Sequence, residues 1–373
     1  MSLRQTTLNI DLEQLRANFK AVALHGHPLS LCPVVKANAY GHGLTEVART
    51  FSEAGAAYLA VALCEEGVAL RKHGINTPIL VLGPAPTDAY HYMIEHQLVP
   101  CISNIEQIEL LARAAKNTAA TYHLKIDTGM SRLGVSLSAL NEVLKQLQAH
   151  PTLHMQGVLT HFANADLQDQ KFNQHQIEGF KSALRTIHEA EFTPEIIHCS
   201  NSAATLDLQV ADQTMLRPGL ALYGINPLGP HPASIELQPA MHWHTSPLHI
   251  KAIPADTPVS YGGTWRAQKP TTLAILPVGY ADGYRREFSN KATVLIQGRR
   301  APVVGQICMD HTLVDITDIP GTKLDDEVVL LGQQQQEAIT PWELASWAQT
   351  IPYEILCGIS SRVKRTYTGT TSA

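Results

Sequence analysis

The 373-residue chain is 45% hydrophobic and 16% charged, so it has ample apolar material for a large core and suggests about two domains. Its formal net charge is −5 and no block of Lys or Arg stands out, so neither nucleic acid nor an anionic membrane is indicated as a partner. The opening Met1-Ser-Leu-Arg-Gln-Thr-Thr lacks the apolar stretch of a secretory leader, and no run of ~18 apolar residues occurs. The cysteines Cys32, Cys64, Cys101, Cys199, Cys308 and Cys357 form no C-x-x-C pair and mostly sit in apolar runs. That pattern suits reduced core thiols, so a cytoplasmic enzyme is expected.

In chain order, short apolar runs alternate with helix-like segments from Ser30 to Arg217. The predicted strands are Leu31–Lys36, Tyr58–Leu63, Pro78–Leu82, Leu98–Ser103, Thr121–Asp127, His154–His161, Glu195–Cys199 and Gln213–Arg217. Most are rich in Val, Ile or Leu with little polar alternation, as parallel strands buried on both faces are. Between them, Ile105, Ile108, Leu111, Ala112 and Ala115 recur at helical steps, with Asn104 placed to cap, and Leu140, Val143, Leu144 and Leu147 repeat the pattern. Gly74 marks a helix stop and Phe172–Ala190 reads as another long helix. Eight strand–helix units without a G-x-G-x-x-G after the first strand predict a (β/α)8 TIM barrel, not an open doubly wound sheet.

After Gly224 the texture changes. Asn226-Pro-Leu-Gly-Pro-His-Pro reads as a linker. Beyond it lie the strand-like runs Leu248–Ile253, Thr271–Val278, Ala292–Ile296, Pro302–Val304, His311–Ile316 and Glu327–Leu331. One late helix is expected near Pro341–Ala348, and Gln333–Gln336 falls in a turn. The division predicted is a barrel over 1–225 and a mostly β domain over 226–373, with the first few residues free to pack with the second domain. His242 and His244 would share one face of a strand, but with no third ligand nearby in sequence no metal site is expected.

In such a barrel the C-terminal strand ends line the active site. Those ends carry Lys36, Lys125, Asp127, His161, Cys199 to Ser202, and Arg217. By itself Lys36 reads as a lysine snorkelling from a strand end or as a desolvated amine that can attack an aldehyde and serve as a base. Asn201 and Ser202 read as an N-cap for the following helix.

The stretch Val35-Lys36-Ala37-Asn38-Ala39-Tyr40-Gly41-His42-Gly43 resembles the pyridoxal-phosphate attachment signature of alanine racemases. The resemblance continues along nearly the whole chain. It runs through Lys125-Ile-Asp-Thr-Gly-Met-Ser-Arg132-Leu-Gly, His161-Phe-Ala, His198-Cys-Ser-Asn-Ser202, Arg217-Pro-Gly-Leu220, Ser260-Tyr261-Gly262, Gly279-Tyr280-Ala-Asp-Gly, Ile307-Cys-Met309-Asp310 and Tyr353-Glu.

The resemblance implies an enzyme that interconverts L- and D-alanine with pyridoxal 5'-phosphate. Lys36 and Tyr261 would act as acid/base groups on opposite faces of the substrate Cα. Inversion needs both, because a lone base tends to return the proton to the side it came from. An isolated tyrosine has a pKa of about 10, so the phenolate needs a neighbour, and the resemblance places His161 there. Arg217 would face the ring nitrogen, and since guanidinium only donates, that nitrogen stays unprotonated. Tyr40, Ser202, the backbone of Gly219 and Leu220, and Tyr353 are nominated for the phosphate. Arg132 would contact the phenolic oxygen and the substrate carboxylate, with the Met309 amide beside the latter. Lys125 matches a position carbamylated in some relatives.

Tyr353, Tyr261 and Cys308-Met309-Asp310 would limit substrate size, leaving weak serine racemisation allowed, since one methylene is worth ~1–3 kcal/mol. A homodimer with shared active sites is implied, supplying D-alanine for peptidoglycan, although the residues themselves do not separate that role from a catabolic one. The alternatives are a non-catalytic pyridoxal-phosphate carrier, which consists of the barrel alone, and a decarboxylase of the same barrel fold. The latter should place a carboxylate where Arg217 stands.

Overall fold

The computed structural model describes residues 4–116, 118–167, 170–231 and 233–369, so Met1-Ser-Leu and Pro232 of the linker lie outside it. The chain divides into two compact units. One comprises residues 15–39 and 43–238, and the other residues 1–14, 40–42 and 239–373.

In the first unit, parallel pairing runs through Leu59–Val61, Ile79–Val81, Leu98–Ile102, Ala120–Asp127, Leu153–Leu159 and Ile196–His198. Thr214 N donates to Ile197 O (2.8 Å) and Arg217 N to Ser200 O (2.9 Å), which adds Met215–Leu216 to the row. That strand pairs in parallel with Ser30–Leu31, whose chain bridges Val34 to Ala60. Eight strands therefore close into the (β/α)8 barrel. Their near-uniform burial follows from apolar side chains facing both the barrel interior and the outer helices. The helices meet the sheet through stripes at three- and four-residue steps, as with Gln176, Ile177, Phe180, Ala183 and Ile187 of Gln170–Glu189. Asn104 caps Ile105–Ala115, its Oδ1 accepting from Gln107 N at 2.9 Å.

The second unit is mostly β. Among the described residues its larger sheet runs Arg299–Pro302, Thr293–Ile296, Val328–Gln334, Met241–Thr245, Thr7–Asp11, Lys364–Thr368, with Glu337–Ile339 off the third. A second sheet joins His249–Ile253, Thr271–Leu276 and Thr312–Asp315.

Two local expectations need correction, while the cysteines are reduced and mostly buried as expected. Gln333 and Gln334 lie in a strand, and the turn is made by Gln335, at φ 56°, with Gln336. Pro341–Ala348 is followed by a second helix, Pro352–Cys357, too short for helical periodicity to register in sequence. Cys357 is exposed and Cys308 half-buried, while the remaining four cysteines are buried; all six are free thiols.

Candidate active site

The first unit concentrates its cations at the barrel strand ends. Arg217 follows the last strand and is buried, which normally demands full hydrogen bonding. Its Nη1 donates to His198 Nδ1 at 3.0 Å. Nη2 donates to Thr160 O (2.8 Å), Cys199 O (3.2 Å) and His161 Nδ1 (3.3 Å). Because a guanidinium can only donate, both histidines accept at Nδ1 and carry their proton at Nε2. His198 Nε2 then donates to His123 Nδ1 at 2.8 Å. Burial and the neighbouring Arg217 charge push His123 down to about 3, and the same causes hold His161 and His198 well below the ordinary histidine range. All three rings are neutral. Nη2 is thus fully committed and Nη1 half so, and Nε–H and the second Nη1–H are the donors left over among the described residues.

Lys36 opens a turn of unusual hand. Ala37 (φ 53°, ψ 54°), Asn38 (55°, 43°) and Ala39 (52°, 54°) are left-handed, and Tyr40 continues at φ 52°. For L-residues other than Gly this conformation costs roughly 1–2 kcal/mol each, so it must be imposed by surrounding contacts. Ala39 N reaches back to Val35 O (2.8 Å), and Asn38 accepts from Gly43 N at O (2.9 Å) and from Leu44 N at Oδ1 (2.9 Å). Glu66 Oε1 accepts from Ala37 N at 2.6 Å while its Oε2 takes the amides of Ala62 and Leu63. One carboxylate therefore ties the turn to the end of the neighbouring strand.

Lys125 is 6% exposed, with no hydrogen bond or ion pair among the described residues. Burial first, and then Arg217, Arg132 and Lys36, push its amine below the usual lysine range. An unpaired buried amine among cations is costly and is driven towards its neutral form. Arg132 projects from the exposed loop after Asp127, whose Oδ1 accepts from Gly129 N and Ser131 N, each at 3.0 Å. Thr128 and Thr160 join hydroxyls at 2.8 Å beneath it, and Gln176 Nε2 donates to His161 O at 3.0 Å.

Ser202 is the first residue of helix Ser202–Asp207, and the cap is Asn201, whose Oδ1 accepts from Ala204 N at 3.0 Å. Ser202 Oγ instead accepts from Gly219 N (2.7 Å) and Ala221 N (3.3 Å), leaving its own O–H to donate outward. That ties the loop carrying Gly219 and Leu220 to a helix N-terminus, an arrangement suited to an anion.

The second unit holds Tyr40, Tyr261, Met309 and Tyr353. The rings of Tyr40 and Tyr353 lie 5.8 Å apart, and burial pushes the Tyr40 phenol above its ordinary range. Arg365 Nε donates to Gly41 O at 2.7 Å, anchoring the chain just past Tyr40. Tyr261 begins the turn Tyr261–Gly263 and is 71% exposed. Met309 is exposed too, and its segment is fixed from behind by Tyr280 N and Ala281 N, each 3.1 Å from the carbonyls of Cys308 and Met309. Gly279 permits that approach, since a Cβ there would sit 2.2 Å from Cys308 O.

Of the residues singled out in sequence, Lys36, Lys125, His161, Ser202 and Arg217 lie at the barrel strand ends. Sequence reasoning missed His123, His198 and Glu66 as members of the site. His198 was visible as a polar residue closing an apolar strand, whereas His123 is hidden inside one. His242 and His244 do share a face, with rings 5.4 Å apart, and Glu327 approaches both at 3.7 and 3.8 Å. Among the described residues no three metal-capable side chains are arranged to hold an ion.

Comparison with known proteins agrees with this geometry. Residues 10–227 match the family model "Alanine racemase, N-terminal domain", and residues 240–367 match "Alanine racemase, C-terminal domain". An alanine racemase of Halothermothrix orenii is 41% identical over 98% of this chain and 97% of its own length. One from Symbiobacterium thermophilum is 40% identical, covering 99% of each. The crystal structure of alanine racemase from Streptomyces lavendulae superposes with a TM-score of 0.93 at 34% identity, covering 100% of this chain and 99% of that one. Alanine racemase from Bartonella henselae, solved with covalently bound pyridoxal phosphate, gives 0.88 at 31% identity, covering 97% and 99%. The chain belongs to the alanine racemase family, pyridoxal-phosphate-dependent isomerases that interconvert L- and D-alanine.

Proposed function

We propose that Lys36 Nζ and the Tyr261 phenol oxygen exchange a proton with the alanine Cα from opposite faces, so that each enantiomer is deprotonated by one group and formed by the other. Pyridoxal phosphate, when bound, supplies the electron sink that makes the Cα–H acidic. The donor set fits that group: a buried guanidinium with N–H groups left to donate, a serine hydroxyl able to donate at a helix N-terminus, and an amine at a strand end. Lys36 would hold it covalently, and Ser202, Tyr40, Tyr353 and the amides of Gly219 and Leu220 would hold the phosphate. The observation that carries the reading is Arg217, buried after the last barrel strand with its terminal nitrogens on four neutral acceptors, because Nε–H and the second Nη1–H then remain as donors, and no acceptor or acid, for a ring nitrogen.

His161 supports the other face. It accepts from Arg217 at Nδ1, so its remaining N–H is available to stabilise a phenolate, and it stays neutral through the working pH range. Arg132 and the Met309 amide would bind the substrate carboxylate. Lys125 is proposed as a carbamate: the neutral amine adds to CO2, forming an N–C bond and releasing one proton, and the product places an anion among Arg217, Arg132 and Lys36.

The full assembly is proposed as a homodimer in which the Tyr261 of one chain serves the barrel of the other. Among the described residues no helix is long and apolar enough to cross a membrane. Cytoplasmic supply of D-alanine for peptidoglycan is the proposed role. Borohydride reduction followed by peptide mapping tests the attachment: the label should fall on Lys36 with loss of the visible absorption band, and label on any other lysine overturns the assignment.

A further inference from the structure

We propose that Asn290 and Ser260 are positioning residues that set the Tyr261 phenol relative to the Met309 amide; this rests on the role given to Tyr261 above. Tyr261 is 71% exposed in the chain, so packing there does little to place it and the backbone beneath must do so. That backbone is strained. Ser260, directly before Tyr261, lies at φ 61°, ψ −170°, a region almost reserved for glycine and costing about 1–3 kcal/mol.

Both ends of the turn are tied to the segment that carries Met309. At the first end, Ser260 Oγ donates to Gln306 O at 2.6 Å and lies 3.5 Å from Cys308 Sγ. Gly305 packs against the same point, since a Cβ there would stand 2.7 Å from Val259 O and 2.9 Å from Ser260 Cβ. At the far end, Asn290 makes the shorter bridge between the two segments. Its Oδ1 accepts from Gly305 N at 2.6 Å and its Nδ2 donates to Thr264 Oγ1 at 3.1 Å, while Gln306 Nε2 adds 3.3 Å to that hydroxyl. Asn290 is exposed and left-handed (φ 58°), so it contributes little to a core and its truncation leaves the unit folded. Together these contacts make one rigid piece of the turn that carries Tyr261 and the 305–309 segment. A loosened phenol would still leave Lys36 working on its own face.

The test compares Asn290→Ala, Asn290→Asp and the unaltered holoenzyme in D2O. Asp keeps both links, because the carboxylate accepts from Gly305 N–H and from the Thr264 hydroxyl. Misplacement by about an ångström costs up to ~100-fold, so inversion should fall roughly 10- to 100-fold in Asn290→Ala and recover to within about threefold in Asn290→Asp. Exchange of the α-hydrogen of one enantiomer with solvent deuterium should persist in Asn290→Ala, raising the exchange-to-inversion ratio. Independently of turnover, 3-fluorotyrosine at position 261 should give one sharp ¹⁹F line that broadens or splits on Asn290→Ala. An unchanged sharp line, or exchange and inversion declining in step, overturns the proposal. Full inversion by Tyr261→Phe would instead overturn the reading on which it rests.

Discussion

Lys125 shows most clearly how a single residue poses its own chemical problem. A buried amine without an anion, facing three cations, is destabilised as an ammonium, and its acidified form is a ready nucleophile for CO2. Intact-mass measurement of protein kept near neutral pH under bicarbonate should show one added CO2, lost on acidification and absent in Lys125→Ala. Equal masses for the two conditions would remove the carbamate. Arg217 poses the opposite problem and solves it with neutral acceptors, which keep the cation without cancelling it. The presence of Arg217 was legible in sequence because it closes an apolar strand. Its partners were not, since Thr160 and His198 lie 57 and 19 residues away in the chain and meet it only when the barrel closes.

At the scale of elements, the eight barrel strands were readable because burial on both faces leaves continuous Val, Ile and Leu runs. The left-handed turn after Lys36 was not, because Ala37 and Ala39 carry no mark of that conformation and are forced into it by Glu66 and Asn38. A β-branched residue there should be far worse than glycine. Ala37→Val is expected to lower stability by about 2 kcal/mol or more, whereas Ala37→Gly should be close to neutral or stabilising. Urea denaturation of the two proteins checks this, and equal midpoints would mean the turn is not as strained as its angles require. Thr7–Asp11 escaped sequence reading for another reason: its partners Met241–Thr245 and Lys364–Thr368 lie more than half a chain away. Helix Pro352–Cys357, which carries Tyr353, has too few turns to announce itself.

For the molecule as a whole, the neutral histidines inside the barrel link stability to pH. His123 and His198 are fully buried and held below the unfolded value of about 6.5, so the unfolded chain binds protons that the folded chain refuses. Their contribution is complete above about pH 6.5 and is lost as pH falls from there towards about 3 for His123. Each costs up to ~1.4 kcal/mol per pH unit within that window. Unfolding free energies measured between pH 7.5 and 5 should be level down to about 6.5 and decline below it. A level profile to pH 5 would show that the rings are not held neutral.

The central claim is that an amine and a phenol work from opposite sides of one carbon. Replacing Tyr261 with Phe removes the phenol oxygen and nothing else. Inversion of both L- and D-alanine should fall by two orders of magnitude or more, while the α-hydrogen of one enantiomer still exchanges with solvent. Undiminished inversion in both directions would contradict the account.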